Sequence, residues 1–235
     1  HGNCKKSEEE IAKALQSNNR QDFLFALQQE LNQYQYTQNL IIECDIQIKA
    51  LLDDFINQDD VKKSLHIDKK IHKRVNKNTP KNIDLNLMAY QYFDGLDLYL
   101  IEGFSHGTVL TLMSEIGAEG IKEFQNAQHF TSWLRLAPNN KISGGRILSS
   151  RTPKGSNRLK IALRQAANAI GNLKDTHLSN FFNRVAFRKG RSVAVSATAR
   201  KLAVILWNMF SKNQQYNPPT NYEYLDQKRK RKVRE

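Results

Sequence analysis

The feature that most restricts this chain is a row of positions spaced alternately four and three apart: Leu27, Leu31, Tyr34, Gln38, Ile41, Asp45, Ile48, Leu52 and Phe55. About four heptads of this kind lay a seam along one side of a long helix, and another helix has to cover it. The pattern predicts a helical arm over residues 1–60, built as a coiled coil or a helical hairpin. Gln38 and Asp45 put polar groups in the seam, where they fix register at a cost in stability. Two roles stay open for the arm: packing on its own domain, or association between copies of the chain. Ahead of it, Ser7 with Glu10 three residues on forms a capping box, opening a helix through about Gln16. The long helix is expected from near Asp22.

Charge divides the chain in two. Residues 1–60 carry 5 Lys/Arg against 11 Asp/Glu, and the remainder carries 31 against 12. Between Asn139 and Lys201 there are 14 cations and a single acid, Asp175. Basic charge gathered in one region is the electrostatic footprint of a nucleic-acid binder. A membrane surface and an acidic protein are the alternatives. The membrane ranks low, because no amphipathic helix sets a basic face against a Trp/Phe face and no run of eighteen apolar residues exists. Cys4 and Cys44 are too few for a disulfide framework and lack zinc-site spacing, so an intracellular, reduced location is expected. A chain that begins at His1, with no signal peptide after it, reads as a piece of a longer one.

Beyond the arm, Lys62, Lys63, Lys69, Lys70, Lys73, Arg74, Lys77 and Lys81 crowd a segment closed by Pro80. A short basic helix and a linker over 61–83 are expected there. A compact domain follows over 84–215, and a basic tail over 216–235. Asp84 is placed to cap a helix carrying Leu85, Leu87, Met88, Tyr92 and Phe93. Next come a glycine-bearing turn at Gly103–Thr108 and an apolar helix Val109–Ile116 ended by Gly117. Helix, tight turn, helix is the form of a helix–hairpin–helix. Such a turn aims backbone N–H groups at a phosphate, which makes Gly103, Gly107 and Thr108 candidate DNA contacts. Pure packing of two helices is the alternative, and His106 reads as a non-catalytic loop histidine. Phe124, Phe130, Trp133, Leu134 and Leu136 predict a helix ended by Pro138, with its aromatics in the core. Three more helices follow: Asn157–Gly171; one with Leu178, Phe181, Phe182, Val185 and Phe187, closed at Gly190; and Val193–Met209. No convincing strand, internal repeat or P-loop is visible, so the fold class is all-α.

Chemistry concentrates between Asn139 and Lys160, which hold three glycines, five hydroxyl side chains, six cations and no acid. Glycines let a backbone come close to a ligand, and cations bind phosphate oxygens. Ser143, followed by Gly144 and Gly145, is the candidate nucleophile. Arg146, Arg151, Lys154 and Arg158 are the candidate phosphate ligands that would stabilise a pentavalent transition state. A solvated basic loop between two helices is the plain alternative. The acids Glu102, Glu115, Glu119, Glu123 and Asp175 form no spaced pair for a two-metal nuclease, and no metal ligand is assigned. A hydrolase triad is unsupported as well, since no strained nucleophile elbow surrounds Ser143.

Several stretches resemble one family throughout. They are Gly103–Thr108, Thr131-Ser132-Trp133-Leu134 through Leu136-Ala137-Pro138, Ser143-Gly144-Gly145-Arg146, Lys154-Gly155-Ser156-Asn157-Arg158, Ala199-Arg200-Lys201-Leu202-Ala203 and the Tyr216-containing end. The family is the insertion-sequence transposases of the "one-hundred-and-ten" type, whose C-terminal domain would cover roughly 94–190. Ser105 and His106 stand where that family commonly shows Gly and Pro. The resemblance implies a bacterial, cytoplasmic, nucleoid-associated DNA transposase or recombinase that moves a mobile element by recombining DNA strands. It implies that Ser143 links covalently to DNA as a phosphoserine. Members also carry an N-terminal RuvC-like domain with an Asp-Glu-Asp-Asp site, which is missing here, so Mg²⁺ is expected in that domain and no cofactor in this chain. The implied partners are element-end and target DNA, a guide RNA in some members, and further copies of the chain through the helical arm.

Overall fold

The computed structural model describes residues 6–15, 20–66, 79–80, 83–155 and 157–218. Most of the basic linker and of the basic tail therefore lies outside the described residues. The chain divides into two compact units, residues 1–50 with 80–82, and residues 51–79 with 83–235.

In the first unit, α1 (Glu8–Leu15) opens on the expected capping box. Glu10 N donates to Ser7 Oγ and Ser7 N donates to Glu10 Oε2, both at 3.2 Å. Helix α2 (Gln21–Asn57) runs unbroken for 37 residues, about 55 Å at ~1.5 Å per residue. Its seam positions Leu27, Leu31, Tyr34 and Ile41 are 65%, 45%, 62% and 46% exposed. The seam is not uniformly exposed, since Gln38 and Ile48 are half-buried and Asp45 is buried at 7%.

The second unit begins in the last turns of α2, where Leu52 and Ile56 become buried. The Phe55 ring meets that of Tyr92 at 4.6 Å between centroids. Asp59 caps α3 (Asp60–Ser64), and Asp84 caps α4 (Leu85–Tyr92) by accepting from Asn86 N and Leu87 N. Lys62, expected among the linker cations, is instead packed into the domain. Its ammonium pairs with Asp94, donates to Tyr92 O at 3.3 Å and lies over the Phe55 ring.

A single 3-10 turn, Leu98–Leu100, leads to α5 (His106–Glu115), α6 (Gly117–Lys122) and α7 (Ala127–Trp133). A hairpin of β1 (Lys141–Ser143) and β2 (Arg146–Ser149) follows, then α8 (Arg158–Ile170), α9 (His177–Lys189) and α10 (Arg191–Lys212). Helix α10 is the centre, packing against α6, α7, α8 and α9, while α5 packs on α8. Ala194, Ala199 and Ala203 are fully buried along it, and small side chains let the neighbouring helices come close. Phe93, Ile101, Leu112, Ile121, Phe130, Leu163, Ile170, Leu202 and Leu206 fill the interior around it. Among the described residues α10 is also long and apolar enough to cross a membrane, with half of its apolar window buried in this core.

The architecture is the expected all-α one with three local differences. Two short strands form where none was expected. Helix α7 is shorter than the apolar pattern suggested: Asn126 caps its start, which leaves Phe124 ahead of it, and Arg135 takes a left-handed φ of 54° and turns the chain before Leu136. Phe187, one of the apolar residues that marked its helix, is 93% exposed. Val185 is buried, and two residues at ~100° each carry the next position to the opposite side.

Candidate active site on the Ser-Gly-Gly hairpin

The hairpin is the local consequence of two adjacent glycines. Gly144 and Gly145 have φ of 54° and 73°, the pair of left-handed residues that a two-residue type I′ turn requires. Neither has a heavy atom within 4 Å of where a Cβ would sit, so space above the turn is open. Ser143 and Arg146 face each other directly across the ladder, which puts both side chains on one face with Cβ atoms ~5 Å apart. Both are exposed. No described residue hydrogen-bonds the Ser143 hydroxyl. A bulge between Lys141 and Ile142 shifts the register, and Asn139 N donates to Arg151 O at 3.0 Å to close the base of the ribbon.

The return segment is held from below by two cations. The Arg135 guanidinium donates to Lys154 O, and Lys160 Nζ approaches Pro153 O and Gly155 O at 3.4 and 3.5 Å. Burial pulls the Lys160 ammonium below its ordinary pKa, and Arg164 and Arg135 add to the effect. Gly155 has φ of 124°, and a Cβ there would overlap the Arg135 guanidinium. Arg135 and Lys160 are thus positioning residues that sequence reasoning missed. A left-handed arginine carries no local sequence mark. Gly155→Ala is expected to destabilise the domain by about 1–3 kcal/mol from backbone strain and the displaced guanidinium. In an Arg135→Ala background the same change should cost less, because the overlap is gone. A urea-unfolding double-mutant cycle checks this, with a coupling of roughly 0.5–3 kcal/mol expected.

The remaining candidates divide between the two ends of α8. Asn157 caps that helix by accepting from Lys160 N, and Arg158 opens it, with Nη1 3.7 Å from Glu115 Oε1 at the end of α5. At the other end a Cβ on Gly103 would meet Ala166 O at 2.6 Å and Ile170 Cγ1 at 2.7 Å. Helices α5 and α8 therefore run antiparallel, and the start of α5 lies about 12–18 Å of helix away from Arg158. Lys154 and Arg158 lie on the segment that leads from the hairpin into the start of α8, whereas Gly103 lies against the far end of that helix, beside Gly107 and Thr108 at the start of α5. Ser105 caps α5 by accepting from Thr108 N at 3.3 Å, and Thr108 is buried. His106 is not a loop residue. It is the first residue of α5, buried, with Nδ1 2.8 Å from the Tyr99 hydroxyl. Among the described residues no cluster of three or more His, Cys, Asp or Glu side chains could hold a metal ion, so the Mg²⁺ that the resemblance implies has no ligand set there.

Residues 98–183 match the family model described as "Transposase IS116/IS110/IS902 family". That stretch is similar to a transposase domain of this family. No curated protein and no solved structure matches the chain. The match ends within α9, and the helical fold that contains it continues through α10 to Tyr216, whose side chain packs against the same core.

That continuation brings a second polar cluster onto the same fold. Tyr216 donates to Glu102 Oε2 at 2.9 Å, and burial with the nearby Glu102 charge pushes the phenol pKa up. Lys201 Nζ lies 2.9 Å from His177 Nε2 and 4.7 Å from the centre of the Phe181 ring. Burial, then the Lys201 and Arg184 charges, hold the His177 imidazole below its ordinary 6.5, while Glu102 opposes them. A depressed histidine pKa means that the unfolded chain binds the proton first as pH falls. Stability is therefore unaffected above about 6.5, is lost as pH drops from there toward the folded-state pKa, and levels off below it. Thermal unfolding should show a larger drop in Tm between pH 7 and pH 5 for the wild type than for His177→Gln. An equal drop in both would remove His177 as the cause.

Proposed function

We propose that this chain is the C-terminal part of a DNA transposase that binds element-end and target DNA and supplies Ser143 as the nucleophile of strand exchange. The observation that carries this is the exposed Ser143–Arg146 pair at the tip of a Gly-Gly hairpin, within a stretch similar to a transposase domain and a segment of six cations and no acid. The Ser143 Oγ attacks a DNA phosphorus. An Oγ–phosphorus bond forms, the bond from phosphorus to a deoxyribose oxygen breaks, the serine proton passes to water, and the released sugar oxygen takes up a proton. Gly144 and Gly145 leave room for the strand to approach. Arg146, Arg151, Lys154 and Arg158 offset the charge that gathers on the phosphoryl oxygens. Gly107, exposed in the first turn of α5, offers a second phosphate contact, whereas the buried Thr108 keeps its N–H and hydroxyl on Ser105. The seam of α2 joins copies of the chain, and a guide RNA is a further partner for the basic half.

A covalent trap tests the assignment. The chain is combined with the RuvC-like domain, Mg²⁺ and element-end DNA, then denatured and mapped by mass spectrometry. A nucleotide adduct on Ser143 is the expected result. Strand cleavage that proceeds with no adduct on Ser143 overturns it, and leaves the chain a nucleic-acid-binding and oligomerisation module whose chemistry resides in the metal-dependent domain.

A further inference from the structure

A second surface stands out on α9. Its core side is set by Leu178, Phe182 and Val185, which are buried, and Phe187 falls opposite them. At 93% exposure Phe187 is the barest large apolar side chain among the described residues. A single exposed Leu or Ile needs no explanation, but this ring stands among charges of one sign. Arg184 precedes it by one helical turn, Arg188 and Lys189 follow it, and Arg191 opens α10. No Asp or Glu occurs in the sequence between Thr176 and Pro218. Arg191 is held by Asn168 and Asn172 at 2.8–3.1 Å, so its position is fixed, whereas the Phe187 ring has no packing neighbours to lose.

We propose that Phe187 is a stacking platform for an unpaired nucleobase, with Arg184, Arg188 and Lys189 holding the phosphates on either side of it. This rests on the reading that the domain handles nucleic acid, and it names the class of partner more narrowly. A flat, solvent-facing ring beside phosphate-binding cations is the pairing that single-stranded binders use, because every base offers a π face when it is not paired. A base pair inside a duplex has both faces covered by its neighbours. An acidic protein segment would be met by the cations but would leave the ring without a matching group.

The test titrates the 235-residue chain and its variants by fluorescence polarisation against a single-stranded oligonucleotide, the matching duplex and a poly-glutamate peptide, each at several salt concentrations. Phe187→Ala is expected to weaken single-strand binding about 5- to 100-fold with the salt slope unchanged and duplex binding intact. Arg188→Gln with Lys189→Gln should lower both affinity and slope, since counterion release scales with phosphate contacts. Phe187→Trp should restore affinity, with emission quenched on binding relative to the wild type. Because the ring is bare, neither Phe187 variant endangers folding, which circular dichroism checks. Unchanged single-strand affinity in Phe187→Ala overturns the proposal, as does a loss confined to poly-glutamate, which would make the ring a protein contact. If the wild type bound neither oligonucleotide, the nucleic-acid reading itself would fall.

Discussion

Replacing Ser143 by alanine should lower strand exchange by about 10⁴-fold or more, the scale on which removing a covalent nucleophile acts. DNA affinity, its salt slope and the Tm of the chain should stay at wild-type values. The separation is expected because Ser143 is exposed at the end of a three-residue strand and no described residue bonds its hydroxyl. Removing that hydroxyl leaves no buried group unsatisfied, so the stability change should lie within about 0.5 kcal/mol. Arg146→Gln gives a graded companion result. Its side chain shares the face of Ser143, so it should lower the rate by about 10²–10³-fold while removing one phosphate contact from the salt slope. Rates are read on element-end DNA with the RuvC-like domain present. A Ser143→Ala chain that exchanges strands at the wild-type rate would sink the assignment.

How much was legible in the sequence depends on how far each signal reaches. Helix starts were readable because a cap is a contact within three residues: Ser7 and Asp84 cap as their spacing suggested, and Asn157, expected as the first residue of its helix, is its cap. The long helix of the arm was readable because a heptad seam repeats often enough to exclude a strand. The hairpin was not, since three- and four-residue strands carry too few positions to show alternation, and only their Gly-Gly turn hinted at them. Arg135 ended α7 through a left-handed φ that no residue type there announces. The helix carrying Phe187 was readable from its apolar residues, but which of them face inward depends on angle, and Phe187, two residues after the buried Val185, points outward. The candidate site was half legible. Its residue types were visible in the composition of 139–160, but their grouping depended on α5 and α8 running antiparallel, a tertiary fact. That arrangement sets Gly103 and Arg158 at opposite ends of one helix, so the two phosphate sites expected from the sequence are two places rather than one.

Gly103→Ala and Gly107→Ala should therefore part company. Gly103 has φ of 79°, and an added methyl would meet the Ala166 carbonyl oxygen at 2.6 Å and Ile170 Cγ1 at 2.7 Å. A backbone carbonyl inside a helix cannot swing aside as a side-chain tip can. Left-handed strain and overpacking each cost about 1–3 kcal/mol, so the variant should lose roughly 2–5 kcal/mol. For a domain of this size that lowers Tm by roughly 5–15 °C. Gly107 has no such constraint, since its nearest neighbour to an added methyl is Ser105 Oγ at 3.9 Å. Alanine in the first turn of α5 should leave Tm equal or slightly raised, through better helix propensity. The two variants then divide packing from phosphate contact. If phosphate approaches the start of α5, Gly107→Ala crowds the N–H groups and weakens DNA binding at full stability. If the turn only packs helices, Gly107→Ala binds as the wild type does, and Gly103→Ala loses binding only in proportion to the fraction unfolded. Differential scanning fluorimetry paired with DNA titration below the lower Tm reads both quantities on the same samples.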